Sequence, residues 1–252
     1  TACRAWHRPA PKSIASLDMP DRFNQQVECD IVFIHKYSIF HMICRCTRWH
    51  ETFIVDEKDA DHLIDSIDQW VGRHGPCKEL ICDGEGGIAK STKAQTYLAR
   101  KGIKFVPRAP SQHAQIIERR GALLRDVIHR IDTQLTEEGI TDIPFKHRVS
   151  EGTFSGNAML AVDDATPYNA VYGRTPCLLP DINQPDAEFE GEVPSPGLIR
   201  HSFRLREIAV QKMVDGTARA RLGRALNTKT LPPGEAEGYV IEEEVDYYRK
   251  PG

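Results

Sequence analysis

The chain has 252 residues, 40% of them hydrophobic, and a formal net charge of −3 at pH 7. This length and apolar content allow one large domain, or a medium domain with appendages, and exclude a chain too polar to build a core. No apolar run is long enough to span a membrane and no signal peptide is present, so no membrane partner is expected.

Residues 1–26 are rich in proline and basic side chains and read as an extended lead-in. Three β-like runs follow at 27–35, 38–47 and 50–56, spaced for an antiparallel meander. Ala60, Leu63, Ile64, Ile67, Trp70 and Val71 recur at helical spacing over 58–74, and Gly75-Pro76 stops that helix. A short strand is expected at 80–82, an amphipathic helix over 89–101, and another strand at 103–106. Pro107 to Pro110 reads as a loop, a long helix runs from about 113 to 135, and further helices lie near 143–163. The order βββαβαβα predicts an α/β fold with a mixed sheet. Residues 165–174 close the compact part. Residues 175–198 are proline-rich and acidic, like a linker. Residues 199–226 form a basic helical pattern in which Leu205, Ile208, Ala209, Met213 and Leu222 interleave. It suits either a connector to a partner subunit or DNA, or a helix that covers the core. Residues 237–250 look like the first strands of a small β module.

Charge is unevenly distributed. Lys101 to Arg130 holds seven Lys/Arg against Glu118 and Asp126, and Ile199 to Thr230 holds eight against Glu207 and Asp215. Such local asymmetry points to polyanion contacts better than the mean does. The seven cysteines are odd in number, and Cys29, Cys44, Cys46 and Cys82 lie in strand-like runs. This suits a reducing compartment better than a disulfide framework.

Three acids stand where patterning brings distant residues together. Asp30 opens the run Asp-Ile-Val-Phe-Ile. Asp83 ends Glu-Leu-Ile-Cys and enters the glycine turn Gly84-Glu85-Gly86-Gly87. Glu118 begins the long helix. The separations are 53 and 35 residues, with the elements between them that return the chain to one sheet end. Taken singly, each acid reads as an edge charge, a turn former or a solvated helix residue. Together they read as a carboxylate trio, the donor set that hard divalent cations prefer.

The stretches Cys29-Asp30-Ile-Val-Phe, Ile81-Cys-Asp83-Gly-Glu-Gly and Ser111-Gln112-His-Ala-Gln-Ile-Ile-Glu118-Arg119 resemble the catalytic core of retroviral and retrotransposon integrases. Thr47-Arg48, Thr166-Pro167-Tyr168 and Tyr172-Gly173-Arg174 resemble further segments of that family. The resemblance implies a ribonuclease H-like mixed five-stranded sheet flanked by helices, with a C-terminal basic helix and a truncated SH3-like β module. It divides the chain into a lead-in (1–26) from a missing zinc-binding domain, a catalytic core (27–176), a linker (177–198), a basic helix (199–230) and the start of the β module (231–252). The chain is expected to be a fragment of a longer product.

The implied activity is metal-dependent processing and strand transfer of DNA 3′ ends. Asp30, Asp83 and Glu118 would hold two Mg2+ or Mn2+ ions. The partner would be double-stranded DNA, both element ends and target, and the protein would be a nuclear homo-oligomer. Gln112, His113, Arg119, Arg120, Arg125 and Arg130 are the expected nucleic-acid contacts, since Arg119 and Arg130 are eleven residues apart and share a helix face. No zinc site is expected, because Cys3 and His7 fall short of four ligands. The alternatives are a nuclease or transposase of the same fold, or a decayed nucleic-acid-binding or assembly module.

Overall fold

The computed structural model describes residues 19–83, 87–108, 115–161, 165–178 and 197–227. Contacts divide the chain into a unit of residues 16–217 and a second made of 1–15 and 218–252. Of the second, only the helical turns at 218–227 are described. Most of the lead-in, most of the acidic linker and the whole expected β module lie outside the described residues.

The first unit is built on a five-stranded sheet with the spatial order β3-β2-β1-β4-β5. Strands β1 (Gln26–Ile34), β2 (Tyr37–Cys44) and β3 (His50–Val55) form the antiparallel meander. Strands β4 (Glu79–Asp83) and β5 (Lys104–Arg108) run parallel to β1. Around the sheet lie α1 (Ala60–His74), α2 (Gly87–Lys90), α3 (Thr92–Arg100), α4 (Gln115–Glu137), α5 (Phe145–Met159), α6 (Pro167–Tyr172) and α7 (Gly197–Asn227). No helix among the described residues is long and apolar enough to cross a membrane.

Strand alternation sorts the side chains between two layers. Val27, Cys29, Phe40, Met42, Phe53, Leu80 and Cys82 face α1 and α3, packing on Leu63, Ile67, Trp70, Ala94 and Leu98. Val32, Ile34 and Ile39 face the other way, under Leu124 and Ile128 of α4 and Phe145 and Val149 of α5. Burying each such aliphatic side chain contributes roughly 1.5–3 kcal/mol. Polar groups inside the first layer are matched. Trp70 Nε1 donates to Asn24 Oδ1, while Asn24 Nδ2 donates to the carbonyls of His74 and Gly75. Those carbonyls would otherwise be unsatisfied at the end of α1.

Two boundaries differ from the sequence reading. The helix expected over 89–101 is two helices, because Ser91 takes an extended backbone and its hydroxyl accepts from Ala94 N, which starts α3 afresh. β5 continues through Pro107 to Arg108 rather than stopping at residue 106. β5 is an edge strand, where a residue without an N–H costs no ladder bond.

Helix α7 resolves the two readings of the basic segment for its first turns. Leu205, Ile208, Ala209 and Met213 are buried against Val127, Ile131, Leu135 and Ile143. Arg206 is paired with Glu151, and Arg204 with Glu138 and Glu207. This stretch covers the core, and those two arginines are committed to carboxylates.

Candidate active site

Asp30 sits on the central strand, half-buried, with Oδ1 accepting from Ile31 N at 2.8 Å. Its neighbour on one side is His41 of β2. On the other side β1 meets β4 in parallel, with Gln26, Val27 and Glu28 opposite Glu79, Leu80 and Ile81. The offset is 53 throughout. Beyond the paired residues, the thiols of Cys29 and Cys82 are hydrogen-bonded. Burial, with that bond adding, pushes the Cys29 thiol well up. Asp30 and Asp83 are separated by the same 53 residues, and Asp83 is the last residue of β4. A cavity of about 120 Å³ opens at this strand end, lined by Asp30, Cys82, Gly87 and Ile88 among others. The side chain of Asp83 and the turn 84–86 lie outside the described residues.

Glu118 is exposed in the first turn of α4. Ile117, Gly121, Leu124 and Ile128 form the stripe of that helix that meets the sheet. Ile117 N donates to Glu28 Oε2 at 3.3 Å. A Cβ on Gly121 would lie 3.0 Å from His41 Cε1 and 3.7 Å from Val32 Cβ, so a larger residue would push His41 or the helix aside by a few tenths of an ångström. Between those two contacts the helix passes over the part of β1 that holds Asp30. At 100° per residue, Arg120 falls on one flank of the stripe and Glu118 and Arg125 on the other. Arg120 reaches Asn157, which is bonded to His50 of β3. The opposite flank, with Glu118, therefore faces the β1–β4 side.

The sequence does not announce Glu28, which holds this arrangement. It is 3% exposed. Its Oε1 pairs with Arg45 Nε and with Arg108 Nη2, both at 3.2 Å. Arg108 is the last described residue before the segment 109–114, and Ile117 lies just after it. One carboxylate thus fastens both ends of the segment leading to Glu118. The available signal was the alternation Val27-Glu28-Cys29-Asp30, which puts a second acid on the same strand face as Asp30.

The expected DNA contacts are placed differently from one another. Gln112 and His113 lie outside the described residues. Arg119 is exposed, on the side of α4 away from the sheet. Arg130 shares that face, with Nε on Asp126 Oδ2 at 2.7 Å. Arg125 is exposed, and its Nε donates to Phe33 O at 3.3 Å. Arg120 is not the phosphate contact that the sequence predicts. It is 7% exposed and donates to Asn157 Oδ1 at 3.0 Å. Residue 120 lies on the flank that packs against α5, so its guanidinium belongs to the interior.

Arg120 also shapes its surroundings. His41 Nδ1 and His50 Nε2 are 3.1 Å apart, both buried. Burial, then the charges of Arg120 and Arg125, hold His41 down to about 3. Burial and Arg120 likewise depress His50 well below the usual imidazole range. Gly156 leaves the room that this guanidinium fills, since a Cβ there would come within 2.5 Å of Arg120 Nη2. Gly156→Ala is expected to cost about 1–3 kcal/mol, as overpacking does, read as a lower denaturation midpoint with an unchanged slope in urea.

A cavity of about 590 Å³ lies elsewhere, along β3 between α1 and α5, lined by His50, Glu51, Arg73, Lys146 and Phe154 among others. It contains none of the three acids, so cavity size does not mark the chemistry.

No protein-family model matches the sequence, and no curated protein matches it. Solved structures match its fold. A chain of the simian T-cell lymphotropic virus intasome, solved by cryo-EM in complex with PP2A regulatory subunit B56 gamma, matches with a TM-score of 0.56 at 15% identity. The match covers 71% of this chain and 64% of that one, so the present chain spans less than two thirds of the intasome chain's length. The HTLV-2 integrase catalytic core domain with magnesium, in its dimeric form, gives 0.48 at 12% identity, covering 58% of this chain and 94% of that one. The BIV integrase catalytic core domain gives 0.49 at 17% identity, covering 58% and 92%. The chain has the ribonuclease H-like fold of retroviral integrase catalytic cores, a mixed five-stranded sheet flanked by helices.

Proposed function

We propose that this chain is the core of a retrotransposon integrase, a metal-dependent polynucleotidyl transferase that processes DNA 3′ ends and joins them to target DNA. The observation that carries the reading is the strand register. The offset of 53 that pairs Gln26, Val27 and Glu28 with Glu79, Leu80 and Ile81 is also the separation of Asp30 from Asp83, and the Glu28 contact to Ile117 N supports a Glu118 turn above the same strand. The donor set fits the group it would hold, since three carboxylates are hard oxygen ligands suited to Mg2+ or Mn2+. Two such ions, held by Asp30, Asp83 and Glu118, would activate the attacking oxygen and neutralise the leaving one.

The chain's own residues supply position. Glu28 keeps the Glu118 turn on the sheet. Arg119, exposed on α4, and Arg125, on the Glu118 flank, are available to phosphate oxygens. The substrate is double-stranded DNA, element end and target, and joining two ends calls for more than one copy of the chain. Such a protein acts on chromosomal DNA in the nucleus.

The test is incubation of the full-length parent protein with element-end oligonucleotides and Mn2+. Labelled ends should appear joined to target DNA. Asp83→Asn should lower the joining rate more than about 100-fold, beyond what a change outside the metal's own ligands costs, with the folded circular dichroism spectrum retained. Cleavage without joining would identify a nuclease instead. Binding to DNA with neither reaction would identify an assembly module. An Asp83→Asn variant as active as the parent would refute the assigned site.

A further inference from the structure

A second group of ligating side chains lies away from the acid trio. His35 at the β1–β2 hairpin and His129 and Asp132 on α4 bring two imidazoles and a carboxylate within 4.8 Å of one another. His129 and Asp132 are three apart on the helix and so project to one side. His35 Nε2 is 2.6 Å from Asp132 Oδ2, although the two residues are 97 apart in sequence. The rings of His35 and His129 meet edge to face, with centroids 4.9 Å apart. Asp132 is held from behind, since its other oxygen, Oδ1, accepts from Arg148 Nη1 at 2.5 Å. A cavity of about 430 Å³ opens on the group, lined also by Thr133, Thr136 and Glu137.

The backbone gives an independent observation. His35 has a φ of +53, and Lys36 is not among the positive-φ residues. With Ile34 paired to Tyr37, this is a two-residue hairpin with the sign pattern of a type II′ turn. Glycine is the residue favoured at its first position. A histidine there carries a backbone cost that glycine would avoid, and its imidazole is directed onto α4.

We propose that His35, His129 and Asp132 form a binding site for one divalent transition-metal ion, Zn2+ by its donor chemistry. Two neutral imidazoles with one carboxylate suit zinc better than magnesium, which prefers oxygen ligands alone. Three protein ligands leave a fourth position for water. On binding, the neutral His35 ring carries its single proton on Nδ1, so the Nε2 to Asp132 hydrogen bond is exchanged for lone pairs of both atoms turned to the ion, with no net loss of a proton from the neutral ring. Arg148 becomes the partner that orients the ligating carboxylate. The site lies eleven residues beyond Glu118, about 16 Å along α4 at about 1.5 Å per residue. It would pin the hairpin tip to the helix that carries Glu118 rather than take part in the trio's chemistry. Cys3 and His7 give no zinc site in the sequence, whereas these ligands come from a turn and a distant helix.

The test uses the full chain freed of metal by chelator and titrated with Co2+ as a spectroscopic stand-in, followed by Zn2+ competition. One equivalent of Co2+ should give the visible absorption of a low-coordinate site, and Zn2+ should abolish it. At Zn2+ about 100 times the dissociation constant, the unfolding temperature should rise by roughly 5–10 °C, and Mg2+ should not reproduce this. His129→Ala, at an exposed position, should weaken binding at least about 10-fold. His35→Gly should do the same while leaving the metal-free protein at least as stable, because glycine suits that turn. Asp83→Asn should keep the Co2+ signal, so this site and the proposed transferase site are read separately. No saturable binding, or binding unchanged in both histidine variants, would overturn the proposal.

Discussion

Glu28→Gln lowers the folding stability of this chain by about 3–5 kcal/mol, the cost of leaving one side of a buried ion pair uncompensated. The carboxylate is 3% exposed and answers Arg45 and Arg108 at once. Glutamine preserves the shape and an acceptor for Ile117 N but removes the charge both guanidiniums face. Against a total stability of roughly 5–15 kcal/mol this is a large fraction. Urea unfolding at neutral pH measures it directly. A second consequence concerns the site. With the charge that holds Arg108 removed, Arg108 and Ile117 are no longer both fastened to one carboxylate, and the Glu118 turn is held less firmly over β1. Strand transfer, assayed well below the unfolding temperature, should fall by about 10-fold or more and regain part of the loss at higher Mn2+. A stability change below about 1 kcal/mol would show that the two arginines are not held by this acid.

The second large effect is acid sensitivity. His41 is held neutral down to about 3 in the folded chain and titrates near 6.5 when unfolded. Between these values the unfolded state binds the proton and the folded state does not, so stability rises with pH in that window. The benefit is complete above about pH 6.5 and is lost as the pH falls toward about 3. Between about pH 7.5 and about pH 4.5, His41 alone should remove about 2–3 kcal/mol. His50, depressed in the same direction, adds to the slope. The charges around the pair are those of Arg120 and Arg125, so neither histidine can gain a proton without facing a cation. His41→Gln keeps a polar group for His50 but cannot be protonated. Urea midpoints measured across this range should show a shallower dependence for the variant, and an unaltered slope would rule out His41 as its source.

Much of the fold was legible because the sheet writes itself in alternation. The meander over 27–56 and the helices with wide apolar stripes announce themselves through residues such as Phe40, Met42, Leu63 and Trp70. The breaks that were missed turn on single side-chain bonds or on position in the sheet. Ser91 restarts a helix through one hydroxyl, and Pro107 stays in a strand only because that strand lies at the edge. The acids Asp30, Asp83 and Glu118 could be singled out from spacing, since strand ends and a helix start are visible in sequence. Their supports could not. Glu28 acts through Arg45 and Arg108, and Arg120 turns inward to Asn157, which are contacts between segments far apart in the chain. Composition around residues 101–130 reads as uniformly basic, and only packing separates the buried arginine from the exposed ones.

The offset of 53 between β1 and β4 also governs how this chain can vary in length. Where β1 pairs with β4, at Gln26, Val27 and Glu28 opposite Glu79, Leu80 and Ile81, the ladder itself holds the register, and the loops absorb changes in length between them. An insertion beside Gly75 or in the β2–β3 turn leaves the ladder intact, because the strands can re-form the same pairs with a longer connection. A single residue inserted within β4 upstream of Asp83 would instead set Cys82 beside Asp30 and turn it to the other face of the strand. A sulfur would then stand where an oxygen is needed. Length variation among related copies should therefore collect in the connections and be absent from these two strands.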